Sequence, residues 1–330
     1  MNGGRIRLDQ SMSNRAGDYY LFGVGIWFLS VLAMTGPLPP VQAFDEGVNL
    51  QPQWYEGQQS RYEFWNFRQQ STTMELGGQQ RRMDNTMESE GEITWRVDKV
   101  RADGSASCTM VLDWMCITIT GPEGDEQYND SRQGSGDTEP LHQLLKAMAG
   151  VALTVAVDSD GTISGVDGVE VMARGVDEPL IVPDELNFME SASDLASLPG
   201  APSLVEQGDA WKQQFRWDHD MGFMNYSTTF TLDTVEQIEG IPIATVSSRS
   251  KLKLDFDDSE LPPGSPPVDV RLVEGRQESQ VIFDLNRHEA VGRNTSEHQT
   301  INMSVRLPQH TFTRLIEQDM QGQVLRISEQ

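Results

Sequence analysis

Cysteine is scarce in this sequence of 330 residues, which contains only Cys108 and Cys116. The two lie in one predicted strand, about 26 Å apart along it, whereas a disulfide requires Cα atoms within about 7 Å of each other. They cannot pair unless the strand folds back. Alternation places both on the strand face that carries Met110, Leu112 and Trp114, so we expect buried structural thiols rather than a reactive site.

Positively charged residues are also scarce. The chain has 25 Lys and Arg residues against 50 Asp and Glu residues, which gives a formal net charge of −25 at pH 7. Nucleic acid and anionic lipid headgroups would both be repelled by such a surface. The composition therefore disfavours these partners and leaves surface cations as an option.

The usual signatures of catalysis are missing as well. The sequence has no G-x-S-x-G elbow, no H-E-x-x-H, no Walker loop and no C-x-x-C. A short acidic stretch, residues 158–161, has some features of a calcium loop, but its glycine comes too early and the closing Glu is missing. A hairpin turn explains it better. We expect a non-enzymatic protein without cofactor or metal, and keep a hydrolase as a third hypothesis.

The N-terminal 43 residues predict a signal peptide. Three arginines precede an apolar run over residues 19–35, and residues 41–43 fit a small-residue cleavage site. The alternative is an uncleaved membrane anchor, because the run is close to the lower limit of about 17–20 residues for a span. We expect a protein exported to the periplasm, the cell envelope or the medium, with no stable membrane span after cleavage.

The remaining chain is organised around a long hairpin over residues 91–120. Apolar and polar residues alternate on both sides of Asp103-Gly104, and Asp-Gly is a strong signal for a two-residue hairpin turn. The fold class is therefore mainly β (α+β): two similar antiparallel, curved sheet units, the first with one packed helix. Residues 311–327 predict a last strand pair turned near Gly322, with a helix as the alternative.

Two pairs of matching stretches indicate an internal repeat. The spacing from Gly57 to Phe64 equals that from Gly208 to Phe215, and residues 95–100 match residues 230–235 in their apolar positions and their Asp. The predicted organisation has four parts. These are the signal peptide (1–43), a first β unit with a helix near 138–149 (44–173), a connector (174–207) and a second β unit (208–330).

The helix carries leucines and a methionine at i, i+3, i+4 and i+7, which form a single apolar stripe that should close one face of the sheet. Met and Trp side chains adapt to irregular apolar guests. The sheet–helix cleft is therefore the candidate ligand site, and an ordinary core is the alternative. The candidate ligand-binding residues are Trp95, Met110, Leu112, Trp114, Leu141, Leu145 and Met148.

The order of a Gly-initiated aromatic strand, the Asp-Gly hairpin, the helix and the hairpin over residues 154–168 resembles exported bacterial proteins of unknown function with a duplicated β-sheet domain. The architecture also resembles the open half-barrel of lipoprotein carriers, in which a curved sheet with a helix on its concave side shelters acyl chains. The resemblance covers roughly residues 50–307 and implies no catalytic residue.

Two functions follow as hypotheses. The first is an exported, non-enzymatic binding protein that holds an apolar or lipid-like ligand in the sheet–helix cleft. The alternative is a structural or protein-interaction module of the cell envelope, with acidic loops that meet an envelope protein or cations.

Overall fold

The structure, a computed structural model, describes residues 47–133, 140–168, 198–219, 222–256, 265–307 and 309–327. The predicted signal peptide and most of the predicted connector lie outside these ranges. The described chain is mainly antiparallel β with one helix, and its 12 strands form one curved, unclosed sheet. The predicted fold class is confirmed, with both predicted β units contributing to the same sheet.

The first half contains β1 (Gln59–Leu76), β2 (Gln79–Val100), β3 (Ala106–Thr120), β4 (Glu126–Asp130), β5 (Ala152–Val157) and β6 (Ile163–Asp167). The helix, α1, spans Pro140–Met148 between β4 and β5. The second half contains β7 (Ala210–His219), β8 (Gly222–Ile238), β9 (Ile241–Phe256), β10 (Val268–Asp284), β11 (Glu289–Arg306) and β12 (Thr311–Ile327).

The strand order in the sheet is β6-β5-β3-β2-β1-β12-β11-β10-β9-β8-β7, and β4 pairs with β3 beside β5. The first and last strands are therefore neighbours in the middle of the sheet. Their ladder runs from Arg61 opposite Ile327 to Leu76 opposite Phe312. The long ladder between β1 and β12 joins the two halves into one sheet.

The central hairpin is formed by β2 and β3 as predicted. Gly104 has φ +86°, the left-handed conformation that glycine adopts most readily in such turns. The residues Ile93, Trp95 and Met110 share one face of this hairpin with α1, and we call it the helix face. The opposite, outer face carries Glu88, Glu90 and other polar residues.

The two halves repeat one local geometry at the start of β1 and β7. Gly57 donates its backbone N–H to Val97, and Gly208 donates in the same way to Leu232, at 2.8 Å in each case. Each acceptor is followed by a bulge in the ladder, at Asp98 in β2 and at Asp233 in β8. The matching residues of the sequence therefore occupy equivalent positions.

Helix α1 packs its apolar stripe onto the helix face at β3. Leu145 and Met148 are at most 1% exposed, and they lie in a first core cluster with side chains from β1, β2, β3 and β5. Gly150 follows the helix with φ +80°, as expected for a helix C-terminus. The observed helix falls within the predicted range, residues 138–149.

A second core cluster covers the helix face at β7 to β11. Its centre is Phe283, which is fully buried among Leu232, Val246 and Val281. Residues from two segments outside the strands cover it, including Leu50 from the lead-in and Leu198 from the described end of the predicted connector. Among the described residues, the cover of the second cluster therefore comes from these two segments rather than from a helix.

The prediction of a turn near Gly322 is wrong. Residues 311–327 form one continuous strand, and Gly322 lies in its ladder with β1 opposite Asn66. A Cβ atom at Gly322 would lie 2.8 Å from Oδ1 of Asn66. Glycine at this position therefore permits the close approach of a neighbouring side chain, which a sequence pattern does not distinguish from a turn.

Candidate functional site

Six of the seven candidate ligand-binding residues lie together in the first cluster. Five of them are buried to between 0% and 4% exposure, and Leu141 packs against them from the first turn of the helix. Whether they bind a ligand stays a prediction. The five buried residues are Trp95, Met110, Leu112, Leu145 and Met148.

Trp114 does not belong to that group, because a β-bulge turns it to the outer face. The ladder between β2 and β3 shifts at Asp113, so Leu112 pairs with Ile93 whereas Trp114 pairs with Glu92. The bulge reverses the alternation for the rest of β3. The Arg132 guanidinium lies 3.8 Å from the Trp114 ring centroid, a cation–π contact on the outer face.

The same bulge separates the two cysteines. Cys108 faces the first cluster, whereas Cys116 faces the outer side beside Glu90, so the expectation that they share a face is wrong. Both are free and buried. Burial raises the pKa of each thiol to about 12, with Asp98 adding to the shift at Cys108 and Glu90 at Cys116. A raised pKa disfavours the reactive thiolate, which agrees with structural thiols.

A third apolar cluster lies on the helix face of strands β7 to β12. On β8 and β9 it lies at the opposite end of each strand from the second cluster. Its buried members are 2–9% exposed. All of its described side chains, buried or partly buried, come from strands, whereas the first cluster includes a helix and the second includes lead-in and connector residues. The buried members are Met224, Tyr226, Leu254, Val270 and Ile301.

Polar side chains lie between the second and third clusters on β8 to β11, whereas Phe215 of β7 packs against both clusters. Along β8, Phe230 and Leu232 belong to the second cluster and Met224 and Tyr226 to the third, while Thr228 lies between them. Strand registers continue this interruption through β9, β10 and β11 in two rows. The rows reach β1 and β2 only across Met320 and Gly322 of β12. We call the set the polar belt, and it consists of Asn66, Arg68, Ser89, Thr228, Ser248, Ser250, Gln277, Ser279, Thr295 and Glu297.

Much of the belt is internally hydrogen-bonded. The hydroxyls of Thr228 and Ser250 lie 2.8 Å apart, and Gln277 Nε2 donates to Glu297 Oε2 at 2.7 Å. Ser248 and Ser279 also bond through their hydroxyls, at 2.8 Å. Buried polar groups normally have such partners. The belt presents mostly hydroxyl and carboxamide groups, and its two charged members, Arg68 and Glu297, have opposite charges.

The outer face carries a separate feature, which we call the aromatic–acidic patch: Trp65, Phe67, Glu88, Glu90 and Trp114. The rings of Trp65 and Phe67 are parallel to within 6°, with centroids 6.3 Å apart. Register places Glu90 opposite Trp65 and Glu88 opposite Phe67, and Trp65 Nε1 donates to Glu88 at 2.7 Å. Half-buried rings beside exposed carboxylates are suited to cations.

Within the described ranges, no group of three or more His, Cys, Asp and Glu side chains is placed to hold a metal ion. No helix in the described part of the chain is long and apolar enough to cross a bilayer.

No protein-family model matches the chain, and no curated protein matches it. Among solved structures, it is similar to lipovitellin in a structure on lipid–protein interactions, with 12% identity, a TM-score of 0.43 and coverage of 84% of this chain and 26% of that chain. The chain thus spans about a quarter of that neighbour's length.

Two further solved structures cover most of both chains at lower TM-scores. One is a DUF1329 family protein from Desulfovibrio piger, with 10% identity, a TM-score of 0.14 and coverage of 77% of this chain and 83% of that chain. The other is the translocator domain of the autotransporter NalP from Neisseria meningitidis, with 10% identity, a TM-score of 0.16 and coverage of 96% and 98%. Scores this low carry no argument about ligand, partner or mechanism.

Proposed function

We propose that this chain is an exported, non-enzymatic binding protein that holds an apolar or lipid-like ligand against the helix face of its sheet. The observation that supports the proposal best is the third cluster, where twelve apolar side chains gather on one sheet face and the described residues contribute strands alone. Seven of the twelve are only partly buried, and exposed apolar surface that is contiguous is normally covered. An apolar ligand supplies such a cover and gains from leaving water.

The third cluster is a better location for the ligand than the sheet–helix cleft. In the cleft, Leu145, Met148 and Met110 fill the space between helix and sheet and are at most 1% exposed. A ligand there would have to displace packed side chains, which costs the dispersion contacts that they make. The partly buried residues at the third cluster include Met303, whose flexible side chain adapts to irregular apolar groups.

The proposal predicts a binding defect from one substitution on β12. Ile316→Asn places a carboxamide in the third cluster. Since a buried unpaired polar group costs about 1–3 kcal/mol, we expect the variant to bind a fluorescent fatty acid about tenfold or more weakly. Leu325→Asn is the matched control, because Leu325 is exposed on the outer face of the same strand. Native mass spectrometry of the purified chain should show a bound ligand.

Failure of every tested fatty acid to displace the probe, together with an unliganded mass, would rule out the proposal. Equal affinities of the two variants would mean that a ligand binds elsewhere. Circular dichroism of both variants checks that each one folds.

A second candidate function, an interaction module for a cationic partner, is favoured by the aromatic–acidic patch. Arg132 already lies over Trp114 within the chain, and the formal charge of −25 attracts basic segments.

We expect an oligo-arginine peptide to bind at low salt in a calorimetric titration, and Glu88→Gln with Glu90→Gln to reduce its affinity by about threefold or more. The matched control is Glu274→Gln with Glu278→Gln, which removes the same charge from β10. Equal losses in the two double variants would show a general charge effect and would count against a specific patch.

A further inference from the structure

We propose that the outer face of strands β7 to β9 binds an acidic polysaccharide. This surface is separate from the apolar clusters, because neighbouring residues of a strand point to opposite faces of the sheet. On β9, Leu252 and Leu254 contribute to the third cluster, whereas Lys251 and Lys253 point to the outer face. The inference therefore goes beyond the proposed function and does not depend on a ligand at the third cluster.

Strand register arranges nine side chains of this face in three rows of three. One row joins Lys212, Thr229 and Arg249. Five of the nine are basic and none is acidic, although the whole chain has 50 acidic and only 25 basic residues. We call the set the basic patch, and it consists of Lys212, Gln214, Arg216, Asn225, Ser227, Thr229, Arg249, Lys251 and Lys253.

All five basic side chains of the patch are exposed. Two of them have acidic neighbours at the border of the patch, since Arg249 lies 3.5 Å from Glu278 and Lys253 pairs with Asp255. These four side chains are between 46% and 84% exposed, and ion pairs as exposed as these contribute about 0–1 kcal/mol. An external anion can therefore compete for both cations.

The pairing of β9 with β10 places two like charges together at the patch. Lys251 lies directly opposite Arg276, and like charges at such positions destabilise a sheet. Arg276 has an exposed carboxylate, that of Glu274, at 3.7 Å. Within the described part of the chain, neither Lys251 nor Lys212 has an acidic partner. An anion bound over the patch would relieve the repulsion between the two opposed cations.

The uncharged members of the patch favour a sugar as the partner. Gln214, Ser227 and Thr229 lie among the basic residues, and their side chains have no hydrogen-bond partner among the described residues. Hydroxyl and carboxamide groups both donate and accept, as sugar hydroxyls require, whereas lysine and arginine bind carboxylate or sulfate groups. None of the nine residues is aromatic, as stacking of nucleic-acid bases requires, or apolar, as insertion into a bilayer interface requires.

The negative charge of the whole chain is screened at this surface. The Debye length at physiological ionic strength is about 8 Å. Between Cα atoms the patch measures about 10 Å across the strands and about 13 Å along them. A polysaccharide lying on the patch contacts its cations directly, while the more distant acidic residues act on it only through salt solution.

We expect the full chain to bind a fluorescently labelled oligogalacturonate at physiological salt, measured by fluorescence polarisation. The methyl ester of the same oligosaccharide lacks the negative charges and should not bind. The triple variant Arg249→Gln with Lys251→Gln and Lys253→Gln should weaken binding by about tenfold or more, which corresponds to about 1.4 kcal/mol. The displacement of a fatty acid from the third cluster should be unaffected, because the three side chains lie on the opposite face.

The matched control is Arg81→Gln with Lys99→Gln and Lys146→Gln, which removes the same charge from exposed positions in the first half of the chain. It should reduce the affinity less than about twofold, since distant charges are screened. Equal losses in the two triple variants, or no binding of oligogalacturonate by the original chain, would overturn the proposal. Tighter binding of oligothymidylate or of phosphatidylglycerol vesicles would overturn the choice of partner. Thermal unfolding of both variants verifies that they are folded.

Discussion

Replacing Arg326 by methionine is expected to lower the free energy of unfolding by about 3–5 kcal/mol, the usual cost of removing one partner from a buried ion pair. Arg326 Nη1 lies 3.1 Å from Glu289 Oε1, and the two side chains are 14% and 5% exposed. Glu289 also accepts hydrogen bonds from Ser60 and Gln58 in the first half of the chain. Without Arg326, Glu289 loses its nearer and more buried cation, and Arg287 remains at 3.5 Å. Urea unfolding followed by tryptophan fluorescence measures the change.

The matched control is Arg287→Met. Arg287 lies 3.5 Å from the same carboxylate, but its side chain is 52% exposed, so we expect a loss below about 1 kcal/mol. The double variant Glu289→Gln with Arg326→Met should recover most of the lost stability, because no charge is then left buried. If Arg287→Met lowered the free energy of unfolding as much as Arg326→Met, this would contradict the assignment of Arg326 and Glu289 as the buried ion pair.

The loss of unfolding free energy caused by Arg326→Met should also depend on pH. Burial already raises the pKa of Glu289 above its ordinary value, and loss of a cation raises it further. The folded state then binds a proton more tightly than the unfolded state does, so relative stability increases as the pH falls through the folded pKa. The loss should therefore be largest at neutral pH and smaller in acid.

Leu145→Ala is expected to destabilise the chain by about 2–5 kcal/mol, the range for a buried leucine that leaves a cavity. Leu145 is fully buried where α1 meets the sheet. Lys146→Ala is the control, because the neighbouring side chain is exposed and alanine favours helices. Thermal or urea unfolding gives both values, and a loss below about 1 kcal/mol for Leu145→Ala would show that the first cluster is loosely packed.

This experiment also addresses the predicted ligand residues. If the first cluster is a core, Leu145→Ala lowers stability and leaves ligand affinity at the third cluster unchanged. If the cleft binds the ligand, affinity falls as well, and added ligand raises the unfolding temperature of the original chain more than that of the variant. The two measurements separate packing from binding.

The elements that the sequence predicts well are those set by neighbouring residues. The central hairpin follows from alternation on both sides of Asp103-Gly104, and α1 follows from a stripe at helical spacing. Each of these signals lies within about 30 residues. The equivalence of Gly57 and Gly208 is visible for the same reason, since it needs only a comparison of two short stretches.

The bulge at Asp113 limits what alternation can predict. A single extra residue in β3 turns Trp114 and Cys116 to the outer face, although strict alternation places both with Met110. Nothing in residues 106–120 marks the insertion, because both faces of this strand carry apolar side chains. The bulge becomes visible only from the register with β2.

The polar belt and the third cluster could not be predicted from local patterns. Each belt row takes one residue from each of several strands, and Thr228, Gln277 and Glu297 are far apart in the chain. In the sequence they are indistinguishable from ordinary polar residues of half-buried strands. Only the order of strands in the sheet brings them into line between two apolar clusters.

The pairing of β1 with β12 sets a condition on how the chain is made. Residues 59–76 are synthesised well before the strand that completes their second ladder, Thr311–Ile327. Until then one long edge of the nascent chain has free backbone donors and acceptors, which favour pairing with other molecules. Synthesis of this protein should therefore depend on a holding chaperone, and premature termination within β11 should yield aggregates rather than a smaller soluble fold.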